Sequence, residues 1–425
     1  MVASCSKLLR CGNLVSTPYR GDNPEMKKLP LVLALGAASF CSFAQAQSNV
    51  QLYGRLYPYT NYEKASGATA VGSAGATLAG AATGPSAISG GVKGMSAGNS
   101  NLGIQGKEAL GGGLKAEFQV EGTVTADDGN AGGFTWNRNN FVGLEGAFGE
   151  IRLGFMDTVF KEYGDTIGVL GVSSGTPMSS SNILRKVSFG ANNAARFHER
   201  RANSIRYDSP AMAGFAGAIQ VATQENPNLT TGIGPQKTYS FGVKYDNGPW
   251  YFALAHEIHD NWFGGSVNSP SAMRNNAQAG ITSRDTASQV TVEWRPTKTI
   301  KAEFDVIKKK YKEKANVTGR FESYTNNAYL LSVEGRFDQW RAVAQVVKAN
   351  AGSCTRVAAV CSTSGLEGSK LIVGASYYLS RRTYIFGVID QMKNGASGRY
   401  AANDFGAVNH GEDTRHLIAG VSHRF

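Results

Sequence analysis

From residue 47 to the C-terminus the chain alternates apolar and polar residues with a period of two, and nowhere holds 18 consecutive apolar residues. Val50, Leu52, Gly54 and Leu56 fall on one side of such a pattern, with Gln51, Tyr53, Arg55 and Tyr57 on the other. Leu114, Ala116, Phe118 and Val120 oppose Lys115, Glu117, Gln119 and Glu121 in the same way. Tyr239, Phe241, Val243 and Tyr245 oppose Ser240, Gly242 and Lys244, and Val290, Val292 and Trp294 oppose Gln289, Thr291, Glu293 and Arg295. Successive side chains of a β-strand point to opposite faces, so each segment has one apolar and one charged face. Helical periodicity is scarce.

Sixteen strands follow, over about 49–62, 99–109, 113–124, 134–146, 149–157, 203–209, 214–224, 237–247, 249–259, 286–296, 298–311, 326–338, 339–349, 369–379, 382–391 and 414–425. The number is even, and each is about long enough to cross a bilayer at a tilt. Short and long connections alternate. Gly111-Gly-Gly113, Ala147-Phe-Gly149, Asn247-Gly-Pro249 and Asp338-Gln339 are tight, whereas 63–98, 158–202, 260–285 and 392–413 are long. Tight turns at one end and long loops at the other are the asymmetry of an outer-membrane barrel. Lipid offers the backbone no hydrogen bonds, so an open sheet edge is excluded and the sheet must close. The expected fold is all-β: a closed antiparallel 16-stranded transmembrane β-barrel with short periplasmic turns and long extracellular loops.

The N-terminal region agrees with that destination. Met26-Lys-Lys28, a short apolar run and Ala44-x-Ala46 form a secretory signal peptide over 26–46, preceded by residues 1–25 upstream of a better start at Met26. Cleavage lowers the net charge from +11 to about +8 and leaves two cysteines, Cys354 and Cys361. One close pair in an exported chain predicts a disulfide. The basic residues are spread along strands and not gathered on one helix, which argues against nucleic acid as a partner.

The last residue fits the same scheme. Phe425 shares the parity of Leu417, Ala419 and Val421, the lipid side, where an aromatic sits in the interfacial girdle and the carboxylate stays in water. A terminal Phe on an alternating strand is also the assembly mark that barrel-assembly machinery reads.

Several stretches in order carry a family resemblance. They are Asn49-Val-Gln-Leu-Tyr-Gly-Arg-Leu56, Ser100-Asn-Leu-Gly-Ile-Gln-Gly-Lys107 with its continuation to Glu121, Asn137-Arg-Asn-Asn-Phe-Val-Gly-Leu-Glu-Gly-Ala-Phe-Gly149, Asn203-Ser-Ile-Arg-Tyr-Asp-Ser-Pro210, Tyr377-Tyr-Leu-Ser-Arg-Arg-Thr383 and the final Ser-His-Arg-Phe425. Over the mature chain, 47–425, this resembles the Gram-negative general porins of the betaproteobacterial type. The resemblance implies a homotrimer in the outer membrane, in contact with lipid and lipopolysaccharide. It also implies a third long loop, about 158–202, folded into each barrel as a constriction, and a tendency to favour anions. The family often has Arg where Asn101, Gln105 and Phe155 stand here, which weakens the anion expectation but not pore formation.

A general porin does no chemistry and needs no cofactor or metal; solutes and small ions diffuse through water, and wall charges set the preference. Alternation turns Arg55, Lys107, Lys115, Arg152 and Arg206 to the lumen, with Lys244, Arg336 and Arg341, and the inserted loop adds Glu162 and Asp165. Arg152, just before that loop, is the leading candidate. Glu117, Glu121, Glu293, Glu303 and Glu334 share the lumen face and could neutralise these cations. Lys308-Lys-Lys310 and Lys312 lie where a strand leaves the membrane and are expected to face outer-leaflet phosphates. Gly171-Val-Ser-Ser-Gly175 matches a nucleophile-elbow pattern but lacks the strand before and helix after that the elbow requires. An adhesin or surface-receptor barrel is the alternative function, and a barrel lipase, which needs a Ser–His pair on the outer wall, a more distant one.

Overall fold

Among the described residues each strand hydrogen-bonds to its sequence neighbours, and the last returns to the first, so the sheet closes on itself. The structure, a computed structural model, describes residues 49–425 apart from 129–132, 173–174, 191–192, 226–233, 276–279 and 403. The predicted extension 1–25 and signal peptide 26–46 lie outside the described residues.

Sixteen strands form the barrel, four of them in two segments. They are β1 (Asn49–Leu56 and Tyr59–Ser66), β2 (Val92–Ser96 and Asn101–Gly111), β3 (Leu114–Val124) and β4 (Phe134–Thr135 and Asn140–Gly146). Next come β5 (Gly149–Asp157), β6 (Arg200–Asp208), β7 (Phe215–Thr223), β8 (Lys237–Asn247), β9 (Trp250–Asp260) and β10 (Ser283–Trp294). The ring is completed by β11 (Ile300–Glu313), β12 (Phe321–Phe337), β13 (Trp340–Ala349 and Ser353–Arg356), β14 (Gly368–Tyr378), β15 (Thr383–Asn394) and β16 (Asp413–Arg424). No helix of the described residues is long and apolar enough to cross a membrane.

The interruption of β1 has a local cause. Pro58 has no N–H to give the ladder, so pairing stops at Tyr57-Pro58. Tyr57 N–H turns instead to Ser100 Oγ at 2.8 Å, and Pro58 O accepts from Val421 N–H at 3.2 Å. Above the break, Tyr59–Ser66 pairs with β16 on one side and Val92–Ser96 on the other. Val92–Ser96 falls in the stretch read from sequence as the loop 63–98, because the Gly/Ala/Ser run around it hides the alternation. At the tight end, Gly111, Gly112 and Gly113 all have positive φ, a backbone that only glycine adopts without cost.

The two faces of the wall differ as the alternation requires. Val142, Ile205, Leu254, Leu331 and Leu417 stand exposed on the outside, an apolar surface suited to a lipid bilayer. At the turn end the belt closes in aromatic pairs: Trp250 stacks on Trp294 with ring centres 6.1 Å apart, and Trp340 meets Tyr377 at 5.0 Å. The inside is charged and, from β8 round to β16, largely covered by loops. The main apolar cluster runs through these loops, from Leu78 through Phe160 and Phe189 to Leu366. The disulfide Cys354–Cys361, Cα atoms 5.7 Å apart, closes the loop that follows β13.

Candidate functional site: the lumen and its inserted loop

The segment between β5 and β6 leaves the wall at Thr158, whose hydroxyl caps the short helix α1 (Val159–Glu162) by accepting from Lys161 N–H. It then runs along the inner wall. Lumen-facing carboxylates grip its first half by backbone N–H groups. Glu303 accepts from Thr166 at 2.6 Å and Ile167 at 2.7 Å, and Asp305 accepts from Asp165 at 3.1 Å. Its middle is held through carbonyls: Tyr384 OH donates to Leu170 O at 2.9 Å and Arg55 Nη1 to Gly171 O at 3.0 Å. The helix α2 (Ser181–Leu184) ends over Lys309, whose Nζ donates to the carbonyls of Ile183, Leu184 and Lys186 at 3.3, 3.0 and 2.7 Å. A second buried lysine, Lys370, bonds Pro177 O and pairs with Asp390 at 2.8 Å. Acids hold donors and lysines hold acceptors, so the anchors at the two ends of the loop are charge-assisted.

Inside the loop, Arg185 is fully buried. It donates to Gln289 Oε1 at 2.8 Å, meets His198 Nδ1 at 3.1 Å and lies 3.5 Å from Asp165. Burial, and then the Arg185 charge, hold the His198 imidazole well below its ordinary pKa, so it is neutral and Nδ1 accepts.

The loop leaves the inner faces of β2–β5 comparatively open, whereas inward groups of β1 (Tyr57, Tyr59), β6 (Ser204, Arg206) and β7 (Gln220) are buried. Lys107, Lys115 and Arg152 stand there, with Arg55 and Arg206 on β1 and β6, and the structure separates these cations by what neutralises them. Lys107 bridges Glu117 at 2.9 Å and Glu145 at 2.5 Å, and Lys115 meets Glu145 at 3.0 Å. Arg152 lies between Glu150 at 2.8 Å and Asp208 at 2.7 Å. Arg206 is only 1% exposed, clamped by Glu162 at 2.5 Å and Asp208 at 2.8 Å. Arg55 is different: among the described residues it has no carboxylate partner. It spans two carbonyls, Gly171 O and Asn99 O, over the Tyr57 ring at 4.8 Å, and its ladder partner is Arg424.

Two predicted pore-lining residues are placed elsewhere. Asp165 is buried within the loop, accepting from Ser180 Oγ at 2.7 Å, because the loop folds back on itself around Arg185. Arg206 lies beneath Glu162 and leaves that carboxylate, 36% exposed, as the group facing the lumen. Lys309 is likewise corrected: it points inward to the loop, while Lys308, Lys310 and Lys312 point outward. Parity could have separated Lys309 from its neighbours. The burial of Asp165 had no signal in the sequence. Arg138, paired with Glu121, and Arg424 are inner-wall cations that the alternation pattern did not single out. Gly171–Gly175 is only partly described; what is described is a β-bridge, Val169 to Val172, and no strand-to-helix turn.

A closed barrel with an apolar belt outside and a charged wall inside defines a bilayer-spanning β-barrel protein. Residues 32–397 match the family model described as Gram-negative porin, so the chain belongs to the Gram-negative porin family and is an outer-membrane protein. It is 30% identical over 243 residues to the major outer membrane protein P.IB of Neisseria meningitidis serogroup B, covering 56% of this chain and 62% of the relative. It is 35% identical over 229 residues to outer membrane porin protein 32 of Delftia acidovorans, covering 53% and 57%. The chain thus spans less than two thirds of the length of these curated relatives. Among solved structures, the anion-selective porin from Comamonas acidovorans superposes with a TM-score of 0.66 at 23% identity, over 89% of this chain and all of that one. OmpT of Vibrio cholerae superposes at 0.57 with 12% identity, over 89% and 98%. These two likenesses bear on the fold.

Proposed function

We propose that the chain forms a water-filled channel for passive diffusion of small hydrophilic solutes and ions, with a preference for anions. The observation that carries this is the comparatively open wall of β2–β5, beside an inserted loop whose charged anchors lie on β11 and β14. Arg55, with Arg424 beside it in the ladder, supplies positive charge that no described carboxylate offsets, so anions are concentrated at that point of the lumen. Lys107 and Arg152, both paired with acids, shape the wall and contribute less net field. That the Comamonas acidovorans relative is an anion-selective porin favours the same reading.

The proposed assembly is a homotrimer in the outer membrane, delivered by barrel-assembly machinery that reads the C-terminal strand. We assign the chain no catalysis. One Ser–His contact does lie on the outer wall, His256 Nδ1 to Ser288 Oγ at 2.8 Å. Among the described residues, though, no acid or amide orients that imidazole. The strand amides around it are committed to the sheet, so nothing there forms an oxyanion hole.

Reversal potential under a KCl gradient in planar bilayers tests the assignment. A unit charge about 5 Å from a passing ion in water is worth roughly 0.8 kcal/mol, and salt trims this. Arg55→Gln should therefore cut the chloride-to-potassium permeability ratio about twofold, with a smaller change for Arg152→Gln. A potential set by potassium in the unmodified protein would sink the anion preference; a folded barrel that passes no current would sink the channel.

A further inference from the structure

The open wall carries one rung that the pattern of charges does not explain. Gln51 on β1 stands opposite Gln105 on β2, Gln105 opposite Gln119 on β3, and Gln119 opposite Phe141 on β4. All four share the inward parity of Arg55 and Lys107. Neighbouring strands lie about 4.8 Å apart, so three amides and a ring form a row roughly 14 Å long across the wall. Along β1 the row lies on the turn side of Arg55, so a solute moving from the loop end to the turn end meets Arg55 first and the amides next.

The amides are held in place. Gln105 Nε2 donates to Gln51 Oε1 at 3.2 Å, and Gln119 Nε2 donates to Tyr53 OH at 2.6 Å. Tyr53 OH donates in turn to Glu121 Oε2 at 2.7 Å, and Arg138 pairs with Glu121. Gly103, between Tyr53 and Glu121 in the ladder, leaves room for this, since any side chain there would meet the Tyr53 ring. Gln51 Nε2, Gln105 Oε1 and Gln119 Oε1 have no protein partner among the described residues. The Phe141 ring is half-buried, with the Arg152 guanidinium 5.2 Å from its centre. This rung and the next, where Lys107 pairs with Glu117, line a recess of about 300 Å³.

The surroundings of the row carry little net charge, because Lys107 is closed by Glu117 and Glu145 and Glu121 by Arg138. An ion gains little there. A hydroxyl group both donates and accepts, and so matches a row that presents an amide N–H and two amide carbonyls. The ring beside them offers an apolar face to C–H groups, and the recess is at the small end of small-molecule sites. Resting on the channel reading above, we propose that Gln51, Gln105, Gln119 and Phe141 form a weak binding subsite for a neutral saccharide of one or two rings, held briefly during its passage.

Maltose added to single channels in planar bilayers tests this, with a polyethylene glycol of equal hydrated size as the control. Maltose should reduce the current in a saturable way, whereas the polymer should give only a non-saturating fall. Gln51→Met/Gln105→Met keeps the bulk and removes the amides, and should weaken maltose binding about tenfold. Phe141→Ala should weaken it by a similar factor, and Phe141→Tyr should retain it. The single variant Gln105→Met serves if the double one fails to fold. A maltose response no greater than that of the polymer, or one unchanged in these variants, would overturn the subsite. Saturation-transfer NMR of maltose on the full chain, folded in a detergent without a sugar head, reads the same variants with no current needed. A barrel that passes no current therefore counts against the channel alone, and loss of the maltose signal in the unmodified protein counts against the subsite.

Discussion

Phe425 explains its own position once the barrel is closed. Its N–H and C=O exchange bonds with Gly54 at 3.2 and 3.3 Å, across the seam between the first and last strands. Its ring lies over the Gly54 Cα, filling the space that any side chain at 54 would need. The aromatic and the glycine are thus one packing unit that covers backbone at the point where the ring of strands is joined. Phe425→Ala should lower stability by about 1 kcal/mol, read from urea titration of the folded barrel, while Phe425→Trp should recover most of it. Gly54→Ala should fail in the same assay, because the added methyl group displaces the ring. The parity of Phe425 was plain in the sequence. Its partner was not, because Gly54 lies at the other end of the chain.

At the scale of the element, the inserted loop is stable because complementary charges on the wall meet its backbone. One anchor is sensitive to pH. His198 is held neutral by burial and by Arg185, so its folded pKa lies below its unfolded value of 6.5. Above pH 6.5 both states are neutral and the loop's docking is fully intact. As pH falls below 6.5 the free imidazole binds a proton that the docked one refuses, and docking weakens toward the folded pKa. Current noise and loop proteolysis should therefore rise between pH 6.5 and 5. His198→Gln, which can still accept from Arg185, should flatten that dependence. An unchanged profile in the variant would assign the pH effect to another group. That a long loop follows β5 was legible, since strand alternation stops at about 158; its end was placed three residues late, because β6 already begins at Arg200. Its grip was not legible, because Glu303, Asp305, Lys309 and Lys370 lie more than 100 residues further along the chain and acquire this role only by facing inward beside it.

For the molecule as a whole, closure of the sheet dominates and the external loops are appendages to it. The Cys354–Cys361 bond constrains a short loop, worth roughly 2–3 kcal/mol of chain entropy to that segment. Cys354→Ser/Cys361→Ser should speed proteolysis of residues 357–367 while leaving the β-sheet circular dichroism and the heat-dependent gel shift of the barrel unchanged. Loss of the gel shift would show that the loop contributes to the barrel itself.

The sequence by itself determined the strand number, the face of nearly every wall residue and the need for closure. These rest on local rules: a side-chain period of two, and a lipid phase that cannot satisfy an open backbone. The tertiary structure alone decided which charges remain as net charge. Arg152 and Lys107 read as lumen-facing cations that a wall acid could neutralise, and only the register of β3, β5 and β6 decides that Glu117, Glu150 and Asp208 do so; Asp165 reads as exposed until the loop folds over it. Alternation states which way a side chain points; the partner it finds there depends on register, on closure of the ring and on the path of a loop, none of which is encoded in the residue's own neighbourhood.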